Sequence, residues 1–219
     1  MTKVWSIVVA GGAGSRFGDR KQFCSLGGRP LLEWAVDACR PSSAGVVLVL
    51  PADLDDADHH GADAVVAGGA TRADSVRCGL AAVPDDAEVI VVHDAARPLA
   101  SRRLFDAVIA AAGADGVDGA VPGVPPSDTI KAVDGAGSVT STLDRSTLVA
   151  VQTPQAFRAG VLRRAHAHAD PGAGATDDAT LVEALGGTVR VVPGEPANLK
   201  ITDPDDLVVA ERLLASREG

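Results

Sequence analysis

A six-residue apolar run that opens directly into a glycine-rich turn is the feature that most narrows what this chain can become. Residues 4–9, Val-Trp-Ser-Ile-Val-Val, read as a buried strand, and Ala10-Gly11-Gly12-Ala13-Gly14 follows at once. Three glycines in four residues let the backbone turn tightly and bring its N–H groups against a ligand. Arg16, Arg20 and Lys21 come next, so mobile cations join the backbone donors, the pairing that a polyphosphate needs. A nucleotide is the expected ligand. Two familiar glycine motifs are excluded: a dinucleotide fingerprint needs a glycine where Phe17 stands, and a P-loop needs a Gly-Lys-Ser/Thr that is absent.

The remainder of the chain alternates strand-like and helix-like stretches. Residues 30–39 predict a helix that opens on proline, 45–50 and 64–67 strands, and 68–82 a turn running into a helix. The run Glu88-Val89-Ile90-Val91-Val92 predicts a central parallel strand, apolar on both faces, which delivers His93-Asp94-Ala95-Ala96-Arg97-Pro98 at its C-terminal end. Open α/β sheets bind their ligands there. A helix over 101–112 and a strand over 119–122 complete a doubly wound, mostly parallel sheet. From Gly123 the pattern breaks into two short runs around Asp134-Gly135, which predict a β-hairpin. Two strands alone are marginal in water, so this hairpin is expected to pair with a second subunit. Further on, 148–151 read as a strand and 158–169 as a helix on which His166 and His168 are expected to be solvent-exposed. Thr176 is expected to cap a helix to about Leu185, with Asp177 and Asp178 in its first turn. A last strand over 189–192, a loop at 198–202 and a closing helix over 204–216 end the chain.

Composition enters where it excludes alternatives. At 219 residues the chain suits one domain with a substantial core. Its formal net charge of -9 argues against a general nucleic-acid binder, while leaving room for a small anion in a focused site. Cys24, Cys39 and Cys78 form neither a disulfide framework nor a zinc spacing, which fits a reducing cytoplasm. No apolar run approaches the ~18 residues of a membrane span. The acid-rich stretch 53–60, with His59 and His60, is expected to be a solvated loop and not a metal site.

Seven segments together resemble one family. They are residues 10–22, Gly68-Gly69 with Arg72-Ala73-Asp74-Ser75-Val76, residues 93–98, Asp144-Arg145, Gln152-Thr153-Pro154-Gln155, Thr176-Asp177-Asp178, and Asn198-Leu199-Lys200-Ile201-Thr202. In this order, over nearly the whole chain, they are similar to the 2-C-methyl-D-erythritol 4-phosphate cytidylyltransferases. The sequence departs from the commoner family pattern in carrying Arg20 where proline is frequent and Ala10-Gly11-Gly12 for Ala-Ala-Gly.

The resemblance implies a Rossmann-like, three-layer, mostly parallel sheet of the nucleotidyltransferase type, with a protruding β-hairpin arm at about 123–147 used for dimerisation. It implies an enzyme that joins CTP to methylerythritol phosphate and releases pyrophosphate. Arg16 and Lys21 are then expected to stabilise charge on the α-phosphate, and Lys200 and Arg145 to orient the acceptor, Arg145 from a neighbouring subunit. The nucleotide is expected against Ala10, Gly11, Gly12, Ala13, Gly14, Gly69, Ser75, Asp94 and Ala95. Ser75 and Gly69, with the backbone of 10–12, are expected to read the cytosine edge. Arg97, Thr129, Thr153 and Thr176 are expected near the acceptor. Mg²⁺ is implied by the triphosphate, with Asp94 as its protein contact or as a contact to the ribose. Arg72 and Arg97 are expected to help hold the triphosphate or the loop, or one of them to pair with Asp74. A cytidylyltransferase for another polyol phosphate, such as ribitol 5-phosphate, and a non-catalytic nucleotide-binding protein are the competing readings.

Overall fold

The computed structural model describes residues 2–11, 20–54, 58–169 and 177–218. Its centre is a sheet of eight strands. β1 (Val4–Val9) lies between β4 (Gly45–Leu50) and β6 (Val89–Asp94), parallel to both, with Val8 opposite Leu48 on one side and His93 on the other. Every residue of β4 and β6 is buried, as their unbroken β-branched and leucine runs require of strands covered on both faces. β5 (Ala64–Ala67) extends the parallel set beyond β4.

On the other side the sheet becomes mixed. β11 (Gln155–Arg158) runs antiparallel to β6 and to β7 (Gly119–Val124), β10 (Ala150–Val151) is also antiparallel to β7, and β12 (Val189–Pro193) is parallel to it. The sequence reading missed β11: the helix expected over 158–169 begins one residue later, as α4 (Ala159–His168), and is preceded by this buried strand. Four residues carry too little alternation to register as a strand, and tertiary pairing decides their state.

Helices cover both faces, giving the expected three layers. α1 (Leu31–Cys39) and α3 (Arg102–Ala112) pack Leu32, Val36, Phe105 and Val108 against Val8, Leu48 and Val91. On the opposite face α2 (Arg72–Ala82), α4 and α5 (Asp178–Ala184) pack Val76, Leu80, Leu162 and Val182 against Ile7, Val49 and Ile90. Alternate residues of one strand thus feed two separate cores. A third apolar cluster joins α6 (Pro204–Glu218) to Leu26, Leu31, Leu99 and Ile201, near the small hairpin of β2 (Ser25–Leu26) and β3 (Arg29–Pro30).

The predicted hairpin is present as β8 (Lys131–Val133) and β9 (Val139–Thr142), a separate two-stranded sheet with a bulge between Ala132 and Val133. Its turn is held by Asp134, whose side chain accepts the N–H groups of Ala136 and Ser138 at 2.9 Å each. Val133 and Val139 are about 60% exposed, so these two side chains have little apolar cover among the described residues.

Two local expectations are corrected. His166 is buried, because it sits on the same α4 face as Leu162 and Ala165 and its ring meets a carboxylate. His60 packs against Glu33 and the edge of Phe23, so the 53–60 loop is not uniformly solvated. No described helix is long and apolar enough to cross a membrane.

Candidate active site

The chain leaves β1 in one direction toward β4 and later returns to β6 on the other side, so a crevice opens at the C-terminal ends of these strands, where ligands bind in such sheets. The backbone after each strand lines it. Ala10 donates its N–H to Val49 O at 2.9 Å, Ala95 donates to Val9 O at 3.1 Å, and Gly68 donates to Leu50 O at 2.7 Å. Ser75, in the first turn of α2, accepts the Gly69 N–H at 3.2 Å. A β-carbon built on Gly11 would stand 3.0 Å from Ser75 Oγ, and one on Gly68 2.8 Å from it. Glycine at these two positions therefore lets three segments close on one hydroxyl.

Two adjoining recesses result. The first, about 280 Å³, is lined by Ala10, Gly11, Lys21, Gly69, Ser75 and Ala95, among others. The second, about 220 Å³, is lined by Arg97, Thr153, Gln152, Gln155 and Asp177. Arg72, Asp94 and Lys200 line both.

These three side chains form one ionic chain. Lys200 Nζ donates to Asp94 Oδ2 at 2.8 Å, and Arg72 Nε to Asp94 Oδ1 at 3.3 Å. Arg72 Nη1 donates to Asp178 Oδ2 at 2.8 Å, and Asp178 Oδ1 accepts from His166 Nε2 at 2.9 Å. Burial alone pushes the Asp94 carboxyl up, but Arg72 and Lys200 outweigh it and hold the group well below the usual carboxylate range. Asp178 is likewise held down, burial being overcome by Arg72 and His166. Burial works against the Arg72 charge, yet Asp178 and Asp94 keep it firmly protonated. All three groups are charged at neutral pH.

A second, uncharged chain fixes the backbone of the same strand end. His93 Nε2 lies 3.1 Å from Arg97 O, which can only accept, so Nε2 carries the proton and Nδ1 is the acceptor. Thr153 Oγ, 3.1 Å from Nδ1, then donates to it and itself accepts the Asp94 N–H at 3.0 Å. Burial lowers the His93 pKa to about 4, consistent with a neutral ring. Arg97 donates to Asn198 O at 2.8 Å, Asn198 Nδ2 donates to Thr153 O at 2.9 Å, and Ile201 donates its N–H to Ala96 O at 2.8 Å. The loop bearing Lys200 is thereby pinned to the end of β6. Lys21 donates to Ile201 O at 3.2 Å, which brings the loop after β1 to the same place.

Of the residues expected from sequence, Ala10, Gly11, Lys21, Gly69, Ser75, Asp94, Ala95 and Lys200 line the first recess, and Asp94, Arg97, Thr153 and Lys200 the second. Thr129 and Arg145 line neither; both are exposed beside the arm, where Arg145 donates to Ser127 O. Gly12, Ala13, Gly14, Arg16 and Thr176 lie outside the described residues. Asp177, rather than Thr176, caps α5, accepting the Thr180 N–H at 3.0 Å. Asp74 pairs with Arg77 and closes a capping box with Thr71, so it is not the partner of Arg72. Asp178 and His166 were missed as site-supporting residues. The signal was present in the period, since Asp178 precedes Leu181 and Val182 by three and four positions, as Leu162 precedes His166 by four. Among the described residues no group of three or more acid, histidine or cysteine side chains could hold a metal ion.

Gly11 at the switch point of an α/β sheet, with fixed cations around one ionised acid and two recesses meeting across them, suits an enzyme of the nucleotidyltransferase class. The sequence matches the family described as "IspD: 2-C-methyl-D-erythritol 4-phosphate cytidylyltransferase" over residues 4–216. It is 49% identical to the 2-C-methyl-D-erythritol 4-phosphate cytidylyltransferase of Frankia casuarinae, covering 97% of this chain and 82% of that protein. It is also 46% identical to the bifunctional enzyme IspD/IspF of Solidesulfovibrio magneticus over 93% of this chain, and spans 55% of that longer protein. The crystal structure of 2-C-methyl-D-erythritol 4-phosphate cytidylyltransferase from Thermus thermophilus superposes with a TM-score of 0.82 at 40% identity, covering 95% of this chain and 98% of that one. The chain belongs to the 2-C-methyl-D-erythritol 4-phosphate cytidylyltransferase family.

Proposed function

We propose that this protein transfers the cytidylyl group of CTP to 2-C-methyl-D-erythritol 4-phosphate, giving 4-diphosphocytidyl-2-C-methyl-D-erythritol and pyrophosphate. The observation that carries the reading is that Arg72, Asp94 and Lys200 wall two recesses at once, so two anionic ligands meet across one set of charges. A phosphate oxygen of the acceptor attacks the α-phosphorus of CTP in line. A new O–P bond forms as the bond from the α-phosphorus to the β-phosphate bridging oxygen breaks, and pyrophosphate leaves with that electron pair. The chemistry demands positioning and neutralisation of charge more than proton transfer.

Each residue has a role on this reading. Lys21 and Arg16 neutralise the α-phosphate as its charge develops, and the backbone of Gly12, Ala13 and Gly14 meets the triphosphate. Ala10, Gly11, Gly69 and Ser75 meet the base, Ser75 and its buried surroundings giving a fixed hydrogen-bonding edge. Lys200, with Arg97, Thr153 and Thr176, orients the acceptor. Arg145 and Thr129 complete that end from a second subunit, through an arm whose exposed Val133 and Val139 are covered by the homodimer. Mg²⁺ suits the cleft, because it binds through one or two carboxylates together with substrate phosphates, and Asp94 is held ionised there. Asp94 would hold the ion, which would supply further neutralisation of phosphate charge.

The test is pyrophosphate release from CTP and Mg²⁺ with methylerythritol 4-phosphate or ribitol 5-phosphate as acceptor. Turnover with the first and not the second supports the reading. Preference for ribitol 5-phosphate overturns the acceptor, and release with neither overturns the activity.

A further inference from the structure

Arg72 donates through Nε to Asp94 and through Nη1 to Asp178, while its Nη2 has no hydrogen bond among the described residues. Its side chain is 27% exposed and lines both recesses, whereas that of Asp178 is 1% exposed and lies behind it. His166, 2% exposed at its side chain, holds the other Asp178 oxygen at 2.9 Å, and its Nδ1 makes no hydrogen bond among the described residues. The acid is therefore clamped from both sides, by a ring anchored on α4 and by the cation it serves.

Such an arrangement is a weak stabiliser, since desolvating buried charges offsets most of their attraction. Geometry is what it supplies. With Asp94 as its only anion, Arg72 would be drawn onto the carboxylate that Lys200 also uses. Asp178 divides the guanidinium between two acids, holds its plane at the wall shared by the recesses, and leaves Nη2 to meet an anion bound there.

We propose that Asp178 and His166 are positioning residues for the transfer reaction, acting by fixing the Arg72 guanidinium between the nucleotide and acceptor recesses. This rests on the activity proposed above. The effect falls on kcat, because a cation at the meeting point of two ligands governs their mutual alignment, where a misplacement of about 1 Å costs on the order of 100-fold.

The experiment is a double-mutant cycle read as kcat for pyrophosphate release, with melting followed for every variant. Asp178→Asn keeps shape and removes charge, and Arg72→Gln removes the charge and withdraws the side chain from both acids. Each is expected to lower kcat by roughly 10- to 100-fold, and the double variant to be no slower than Arg72→Gln alone, since Asp178 acts only through that side chain. His166→Leu is expected to lower kcat in the same direction, and His166→Gln, which restores a donor to Asp178, to recover much of it. Losses that multiply in the double variant overturn the proposal, as does kcat unchanged in Asp178→Asn. Should Asp178→Asn fail to fold, the cycle of His166→Leu with Arg72→Gln is read by the same two criteria. Wild-type protein without turnover on CTP and methylerythritol 4-phosphate overturns the underlying activity itself, a result distinct from active wild type with multiplying losses.

Discussion

Lys21 and Ser75 show how single side chains divide the work at the nucleotide end. Lys21 reaches the first recess from the segment after the glycine turn and is steadied by Ile201 O. Lys21→Ala is expected to reduce kcat by about 100-fold or more, the usual loss when one preorganised transition-state donor is removed, with the far-ultraviolet circular dichroism unchanged. An unaltered kcat contradicts that role. Ser75 is buried at 2% exposure and holds Gly69 through its hydroxyl, so Ser75→Ala is expected to weaken CTP binding, measured by calorimetry, by about tenfold. At this scale the sequence was most informative where residue type and backbone demand coincide. Gly11, Gly69, Lys21 and Lys200 are recognisable because a tight turn and an anion require such residues. The helical period marks Asp178 and His166 only as core-facing positions; their service to the site lies in what they touch across 12 positions of chain, and an acid in the first turn of a helix is already explained by the helix itself.

Among the elements, α2 is the one whose start matters most to the site, because its first turn carries Arg72 and Ser75. That start is secured by the Thr71–Asp74 capping box, with Asp74 N donating to Thr71 Oγ at 3.0 Å. Thr71→Ala is expected to cost about 1 kcal/mol and to lower the melting temperature by about 2–4 °C; no change in melting would show that the box is replaced by solvent. Long periodic elements such as β4 and α3 were legible almost to the residue, with Ser101 capping α3 as polar N-caps do, while β6 runs two residues beyond its apolar run to include Asp94. β11 was not legible: it is four residues long, and only its pairing with β6 and β7 makes it a strand.

For the whole molecule, the buried titratable groups give stability a definite pH window. Asp94 and Asp178 have lowered folded pKa values, so their contribution is complete above the unfolded value of about 3.9 and is lost as pH falls through the folded values. Cys39 goes the other way: burial pushes its thiol up to about 12. Its contribution is complete below the unfolded value near 8.5 and drains above it by about 1.4 kcal/mol per pH unit. Urea unfolding from pH 3 to pH 10.5 is expected to show a plateau bounded on both sides, and Cys39→Ala to flatten the alkaline limb; an alkaline limb unchanged in that variant refutes the assignment. The arm belongs to this scale too. It was legible as a hairpin, and the second subunit expected to cover its exposed Val133 and Val139 is the part that a measurement must supply. Deleting residues 129–143 is expected to convert a dimer to a monomer in sedimentation equilibrium, and a wild-type monomer would contradict the arm's proposed use.

The central claim is that two anions are joined across the charges of Arg72, Asp94 and Lys200, and phosphorus NMR of the complete reaction tests it most directly. With CTP, Mg²⁺ and methylerythritol 4-phosphate, the acceptor's monophosphate signal is predicted to disappear in step with the appearance of two mutually coupled diphosphate doublets and free pyrophosphate. CTP consumed to CMP with the acceptor signal intact, or no change at all, would contradict it.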